Sequence, residues 1–158
     1  MTTLSDAAQR VQDALVARGF ANRVIELAEP VRTAQAAADA VGCTAEQIVK
    51  SLVFRGADSG RAVLVVASGG HRVDTDKLAA LVGEPVIMGD PRFVRAVTGF
   101  AIGGIPPLGH AQAIDVVVDA HLLTLGALWA AAGHPNSLFP LTPDELVRMT
   151  CGRVAEVA

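Results

Sequence analysis

Ser51 to Gly70 reads SLVFRGADSGRAVLVVASGG, two apolar runs joined by Asp58-Ser59-Gly60. Leu52 and Phe54 on one side and Val63, Val65 and Val66 on the other, around a turn containing glycine, predict an antiparallel hairpin. On the N-terminal side, Ser5-Asp6 precedes Val11, Leu15 and Val16 at helical spacing, closed by Gly19. Asn22 to Ala28 reads as a short strand ended by Pro30. Thr33 caps an alanine-rich helix to Gly42, and Thr44 with Gln47 forms a capping box for a second short helix, TAEQIVK. On the C-terminal side, helices are expected from Asp74-Thr75 through Val82, after Asp90-Pro91, and from Thr142-Pro143 to Met149. Strands are expected at Pro85 to Met88, Ala113 to Val118, Leu125 to Ala131 and Arg153 to Val157, with loops at 98–110 and 133–137. Hairpins mixed with helices favour an α+β (mixed α/β) architecture over a doubly wound parallel one. The expectation is a single domain over residues 1–158, with a strongly twisted, barrel-like mixed sheet flanked by helices.

Composition narrows the function. The chain has 158 residues, 51% of them apolar, a formal charge of -3 and a pI near 5.7. That acidity argues against coating nucleic acid by bulk electrostatics, although a local basic rim remains allowed. Five Phe, one Trp and no Tyr leave few platforms for base stacking. Cys43 and Cys151 are far apart and unpatterned, which reads as two reduced thiols. The first residues lack a basic and then apolar leader pattern, and no run is long enough to span a bilayer, so a soluble cytoplasmic protein is expected. Lysine is scarce: Lys50 and Lys77 are the only two among 13 basic residues.

Dinucleotide-binding, phosphate-loop, Gly-x-Ser-x-Gly and His-Glu-x-x-His signatures are all missing. His71, His110, His121 and His134 form no i, i+4 pair, and no metal site is expected. Lys50, at the end of the TAEQIVK helix, has two readings: a cation at a helix C-terminus, or an amine facing a cleft where it binds a phosphate or an ester carbonyl. The loop Gly99 to His110 holds Gly103-Gly104, whose N–H groups can approach a ligand closely, followed by Pro106-Pro107, which fix the backbone. Such donors suit an oxyanion or a carbonyl oxygen. His134 and Asn136 in the second polar loop either satisfy turn backbone or bind an amino group and position a water. Arg55, with Arg61, Arg72, Arg92 and Arg95, reads as solvated charge or as part of a rim that touches phosphates.

Taken together and in order, TAEQIVKSLVFR, TGFAIGGIPPLGH and AAGHPNSLF resemble the YbaK-type aminoacyl-tRNA deacylase family, which includes the editing domain inserted in bacterial prolyl-tRNA synthetases and its free-standing relatives. The likeness runs from about Arg32 to Val147. It implies hydrolysis of the ester of a mischarged tRNA, commonly proline tRNA, with no metal and no cofactor. The expected partners are the acceptor end of that tRNA and prolyl-tRNA synthetase, with no membrane. Lys50 matches the family's functional lysine and Gly103 to Pro107 its Gly-x-x-x-Pro loop. His134 matches a pocket histidine of the branch that clears alanine. The cysteine-clearing branch has a Gly/Lys/Arg-rich segment where this chain has Gly133-His134-Pro135-Asn136. The expected catalytic group is therefore Lys50, Gly103, Gly104 and Ile105, with Pro106, Pro107, His134, Asn136, Phe100 and Arg55 binding substrate. The preferred substrates are esters of small aliphatic residues such as alanine or 2-aminobutyrate. The alternatives are a cysteine-type deacylase, a non-catalytic module that binds aminoacyl-tRNA, and a phosphate-ester enzyme using IGGIPPLGH as a cradle.

Overall fold

In the computed structural model, which describes residues 3–158, the Ser5 side chain accepts the Ala8 N–H and starts α1 (Asp6–Ala17). Strand β1 (Ile25–Glu26) is two residues long, and α2 (Ala34–Val41) is capped by Thr33. The hairpin forms as predicted, from β2 (Ile48–Gly56) and β3 (Ala62–Ser68), with seven residue pairs from Val49↔Ser68 to Arg55↔Ala62. There follow α3 (Thr75–Val82), β4 (Val86–Met88), α4 (Pro91–Thr98), β5 (Asp115–Asp119), β6 (Leu128–Ala131), β7 (Ser137–Leu141), α5 (Pro143–Thr150) and β8 (Arg153–Ala155). Asp74, Asp90 and Thr142 cap α3, α4 and α5 with their side chains, as their positions in the sequence predict.

The strands form one mixed sheet in the order β1-β7-β6-β2-β3-β5-β8, with β4 as a further partner of β2. Pairing is antiparallel in the hairpins and parallel between β2 and β6, β3 and β5, and β5 and β8. The sheet is mixed as expected but open, because β1 and β8 end it and do not pair with each other. The larger core buries Leu15 of α1, Val94 of α4 and Leu146 of α5 against Leu64, Leu128 and Phe139. A smaller core packs Leu78 of α3 on Phe54, Val65 and Val117, and α2 covers Ile48 and Leu138 with Ala37 and Ala38.

The largest departure concerns Lys50. The capping box of Thr44 and Gln47 is present, but it starts only a 3-10 turn, Ala45–Gln47, and the chain turns extended at Ile48. Ile48 and Val49 pair with Trp129 and Ala130 of β6. A β-branched pair with a strand partner resists the helix that its cap invites. Lys50 is therefore the third residue of a strand rather than a helix terminus, and the macrodipole reading of it is withdrawn. Downstream, Ala120–Thr124 forms a 3-10 turn, so β6 begins three residues later than expected. Ser137–Leu141, read only as loop and apolar flank, is a strand between β1 and β6.

Candidate functional site

One edge of β2 is fully paired to β3, while the other is shared by two strands that do not meet. β6 takes Ile48 and Val49, and β4 takes Phe54 to Gly56. Between them Lys50 to Val53 have no strand partner on that edge, apart from the Val53 carbonyl accepting the Gly89 N–H at 2.9 Å. At this split lies a cavity of about 290 Å³. Its wall takes in Lys50, Ser51, Gly103, Ile105, His134 and Arg32. The apolar part is aliphatic, with Ala34, Ala37 and Ala131 among Val31, Ile48, Val49, Leu52, Ile102 and Leu138.

Two loops close the split. The Gly133 N–H donates to the Gly104 carbonyl at 2.7 Å, and a Cβ on Gly104 would lie 2.7 Å from the His134 nitrogen. Glycine is therefore required at 104 by the close approach of the two backbones. Gly103 has φ +101, a conformation that side chains disfavour. The Gly104 N–H is taken up by the Ala101 carbonyl at 3.2 Å, so of the expected donors only those of Gly103 and Ile105 have no partner among the described residues. His110 Nε2 donates to the Pro106 carbonyl at 2.7 Å and anchors the end of the loop. Burial holds the His110 imidazole below its ordinary pKa, with nearby Arg18 acting in the same direction and the Pro106 bond opposing them.

Lys50 Nζ donates to the His71 carbonyl. Burial pushes the Lys50 amine below the usual lysine value, and the Asp119 carboxylate partly restores it. His134 Nδ1 faces Asn136 Oδ1, which leaves Nε2 as the ring nitrogen without a partner among the described residues. Asn136 itself is held by β1's flank, its amide donating to the Leu27 carbonyl at 3.2 Å and its own carbonyl accepting the Leu27 N–H at 2.7 Å.

The structure thus brings Lys50, Gly103, Ile105 and His134 to one cavity, with Gly104 supporting it from behind. Pro106, Pro107 and Asn136 stand outside its lining; the prolines stiffen the loop and Asn136 orients His134. Phe100 is buried in the core beneath Arg10, whose guanidinium lies 4.3 Å from the ring centre, and it touches the Gly133 side of the loop. Arg55 lies further along β2, over the Phe93 ring at 5.2 Å, and does not reach the cavity. Leu108 packs in the main core and Trp129 against the cluster that α2 covers, so neither lines the cavity. The sequence reading missed Arg32 and Ser51. Ser51 Oγ is buried without a hydrogen-bond partner, which no local pattern announces. Arg32 has no ion pair among the described residues. Among those residues no group of three or more His, Cys, Asp or Glu is placed to hold a metal, and no helix is long and apolar enough to cross a membrane.

An ammonium-bearing residue and two residues with unused N–H groups line the same small cavity, a set of donors of the kind that stabilises an oxyanion. A family model described as the aminoacyl-tRNA editing domain matches residues 28–149. The chain superposes with TM-score 0.94, at 47% identity and over 98% of both chains, on a crystal structure described as a candidate trans-editing enzyme for prolyl tRNA synthetase. A Bacillus subtilis protein of uncharacterised activity, YwhH, is 34% identical over 84% of either chain. EbsC of Enterococcus faecalis, named as a candidate Cys-tRNA(Pro)/Cys-tRNA(Cys) deacylase, is 28% identical over 79% of this chain and 76% of its own. These findings define an aminoacyl-tRNA deacylase. The chain belongs to the aminoacyl-tRNA editing domain family.

Proposed function

We propose that the protein acts in trans on proline tRNA mischarged with a small aliphatic residue such as alanine or 2-aminobutyrate. The observation that carries this reading is the small, largely aliphatic cavity of about 290 Å³ that Lys50, Gly103 and His134 line together. That volume lies at the small end of ligand sites. Water attacks the ester carbonyl carbon, and the carbon–oxygen bond to the ribose breaks. The amino acid leaves with the water oxygen, and the ribose oxygen recovers a proton. An aminoacyl ester is already activated, so positioning and oxyanion stabilisation suffice, with the free ribose hydroxyl helping to orient the water. Lys50 meets the carbonyl oxygen or the terminal phosphate, the Gly103 and Ile105 N–H groups hold the oxyanion, and His134 bounds the amino-acid pocket. Arg32, exposed at the cavity rim and unpaired among the described residues, takes over the phosphate role first assigned to Arg55. The reaction needs no metal and no cofactor.

Such a second sieve answers a thermodynamic limit, because a synthetase site rejects a residue one methylene smaller by only about 1–3 kcal/mol. With net charge -3 the protein has little bulk attraction for tRNA, which fits delivery by a complex with prolyl-tRNA synthetase in the cytoplasm. A cysteine-type specificity is the second reading, favoured by the name given to the Enterococcus relative. A panel of alanyl, 2-aminobutyryl, cysteinyl, seryl and threonyl esters on proline tRNA separates the two. Hydrolysis confined to the cysteinyl ester would overturn the first.

A further inference from the structure

Asp119, the last residue of β5, is a carboxylate whose side chain is only 3% exposed. Burying such a charge is costly unless its oxygens are satisfied. Oδ1 accepts the His121 N–H at 3.0 Å, and Oδ2 accepts the Ser68 N–H at 3.1 Å and the His71 ring at 2.8 Å. None of these partners is the cation that the site itself uses, yet the sheet places that cation nearby. Lys50 pairs with Ala67 across β2 and β3, and Val66 pairs with Val118 across β3 and β5, which sets Asp119 beside Ala67. Lys50 and Asp119 thus flank Ala67 in one row, their backbones about 10 Å apart at ordinary strand spacing. Alanine, fully buried at 67, leaves the space above the row to the two longer side chains.

His71 joins them a second way, because its ring is bonded to Asp119 while its carbonyl accepts Lys50 Nζ. The turn that presents this carbonyl is fixed at several points. The His71 N–H donates to the Ser68 carbonyl at 2.9 Å, and Gly69 sits so close to Ala45 that a Cβ would lie 2.4 Å from its oxygen. The His71 ring stacks on His121 at 4.4 Å, and His121 Nε2 lies 3.4 Å from Glu46.

We propose that Asp119 is a positioning residue for the hydrolysis: acting through His71 and across Ala67, its carboxylate holds the Lys50 ammonium at the wall of the substrate cavity. This rests on the reading of Lys50 as the cation that meets substrate. The Coulombic pull of Asp119 counters the burial that disfavours the charged amine. The other charged or titratable groups around Lys50 are Arg32 and His134 across the cavity, and His121, Glu46 and Glu156 around the far side of His71.

The chain has only two lysines, so a lysine-labelled sample followed by NMR through a pH titration gives two side-chain signals, and Lys77→Arg assigns them. In Asp119→Asn the Lys50 midpoint should move to lower pH while Lys77 stays. The alkaline limb of the deacylation rate should move down with it, kcat falling roughly tenfold or more and KM holding within about twofold. Asp119→Ser, which keeps a capping acceptor for the His121 N–H, gives the same reading if the Asn variant does not fold. An unmoved Lys50 midpoint, with Lys50→Ala inactive, overturns the role of Asp119 and leaves that of Lys50 intact. Lys50→Ala hydrolysing at the wild-type rate overturns both.

Discussion

A single ammonium, on Lys50, stands at the cavity wall among the described residues, and Lys50→Ala removes it without touching either core. Loss of one preformed donor to an oxyanion lowers kcat by about 10²–10³. Single-turnover deacylation of alanyl proline tRNA by Lys50→Ala should therefore fall by that order, with the circular dichroism spectrum unchanged. Lys77 lies exposed on α3, its amine on the Ala158 carbonyl, and Lys77→Ala should hydrolyse at the wild-type rate. His110 gives a prediction in stability. Its folded-state pKa is depressed, so the unfolded chain binds the proton more readily and acid draws the equilibrium toward unfolding. That stability is present above the ordinary imidazole value of about 6.5 and is lost as pH falls through it. The melting temperature of the wild type should drop more steeply between pH 7.5 and 5.5 than that of His110→Gln, and equal slopes would exclude this histidine as a cause.

At the scale of elements, the two loops over the split in the sheet act as one piece, because Gly104 and Gly133 touch through backbone. A methyl at 104 has no space, with the Gly133 carbonyl carbon and the His134 nitrogen both at 2.7 Å. Gly104→Ala should force the loops apart, costing about 1–3 kcal/mol by chemical denaturation and lowering kcat more than stability alone explains. The hairpin, the helix caps and both glycine loops were legible in the sequence because each is a local pattern. Ile48 to Lys50 was misread as helix because the partner that makes it a strand, β6, lies about eighty residues away. The same distance hid the cavity. Its walls at Arg32, Ser51 and Ala131 come together only where β4 and β6 fail to meet along β2, and no window of sequence records that gap. The three motifs nonetheless marked Lys50, Gly103 and His134, which the fold then gathers from a strand and two loops.

For the whole molecule, charge and shape point the same way. An acidic chain whose candidate site is a small cavity is suited to read an aminoacyl end rather than to grip a tRNA body. Binding of free proline tRNA should accordingly be weak and should weaken further as salt rises, and adding prolyl-tRNA synthetase should raise the deacylation rate at limiting tRNA. Tight, salt-resistant binding to the tRNA alone would contradict that picture.

Side-by-side deacylation of alanyl, 2-aminobutyryl and cysteinyl proline tRNA by the wild type and Lys50→Ala tests both the substrate and the role of the lysine. The wild type should release alanine and 2-aminobutyrate rapidly, and the variant should lose nearly all of both activities. Release of cysteine alone, or undiminished release of alanine by Lys50→Ala, would contradict this reading.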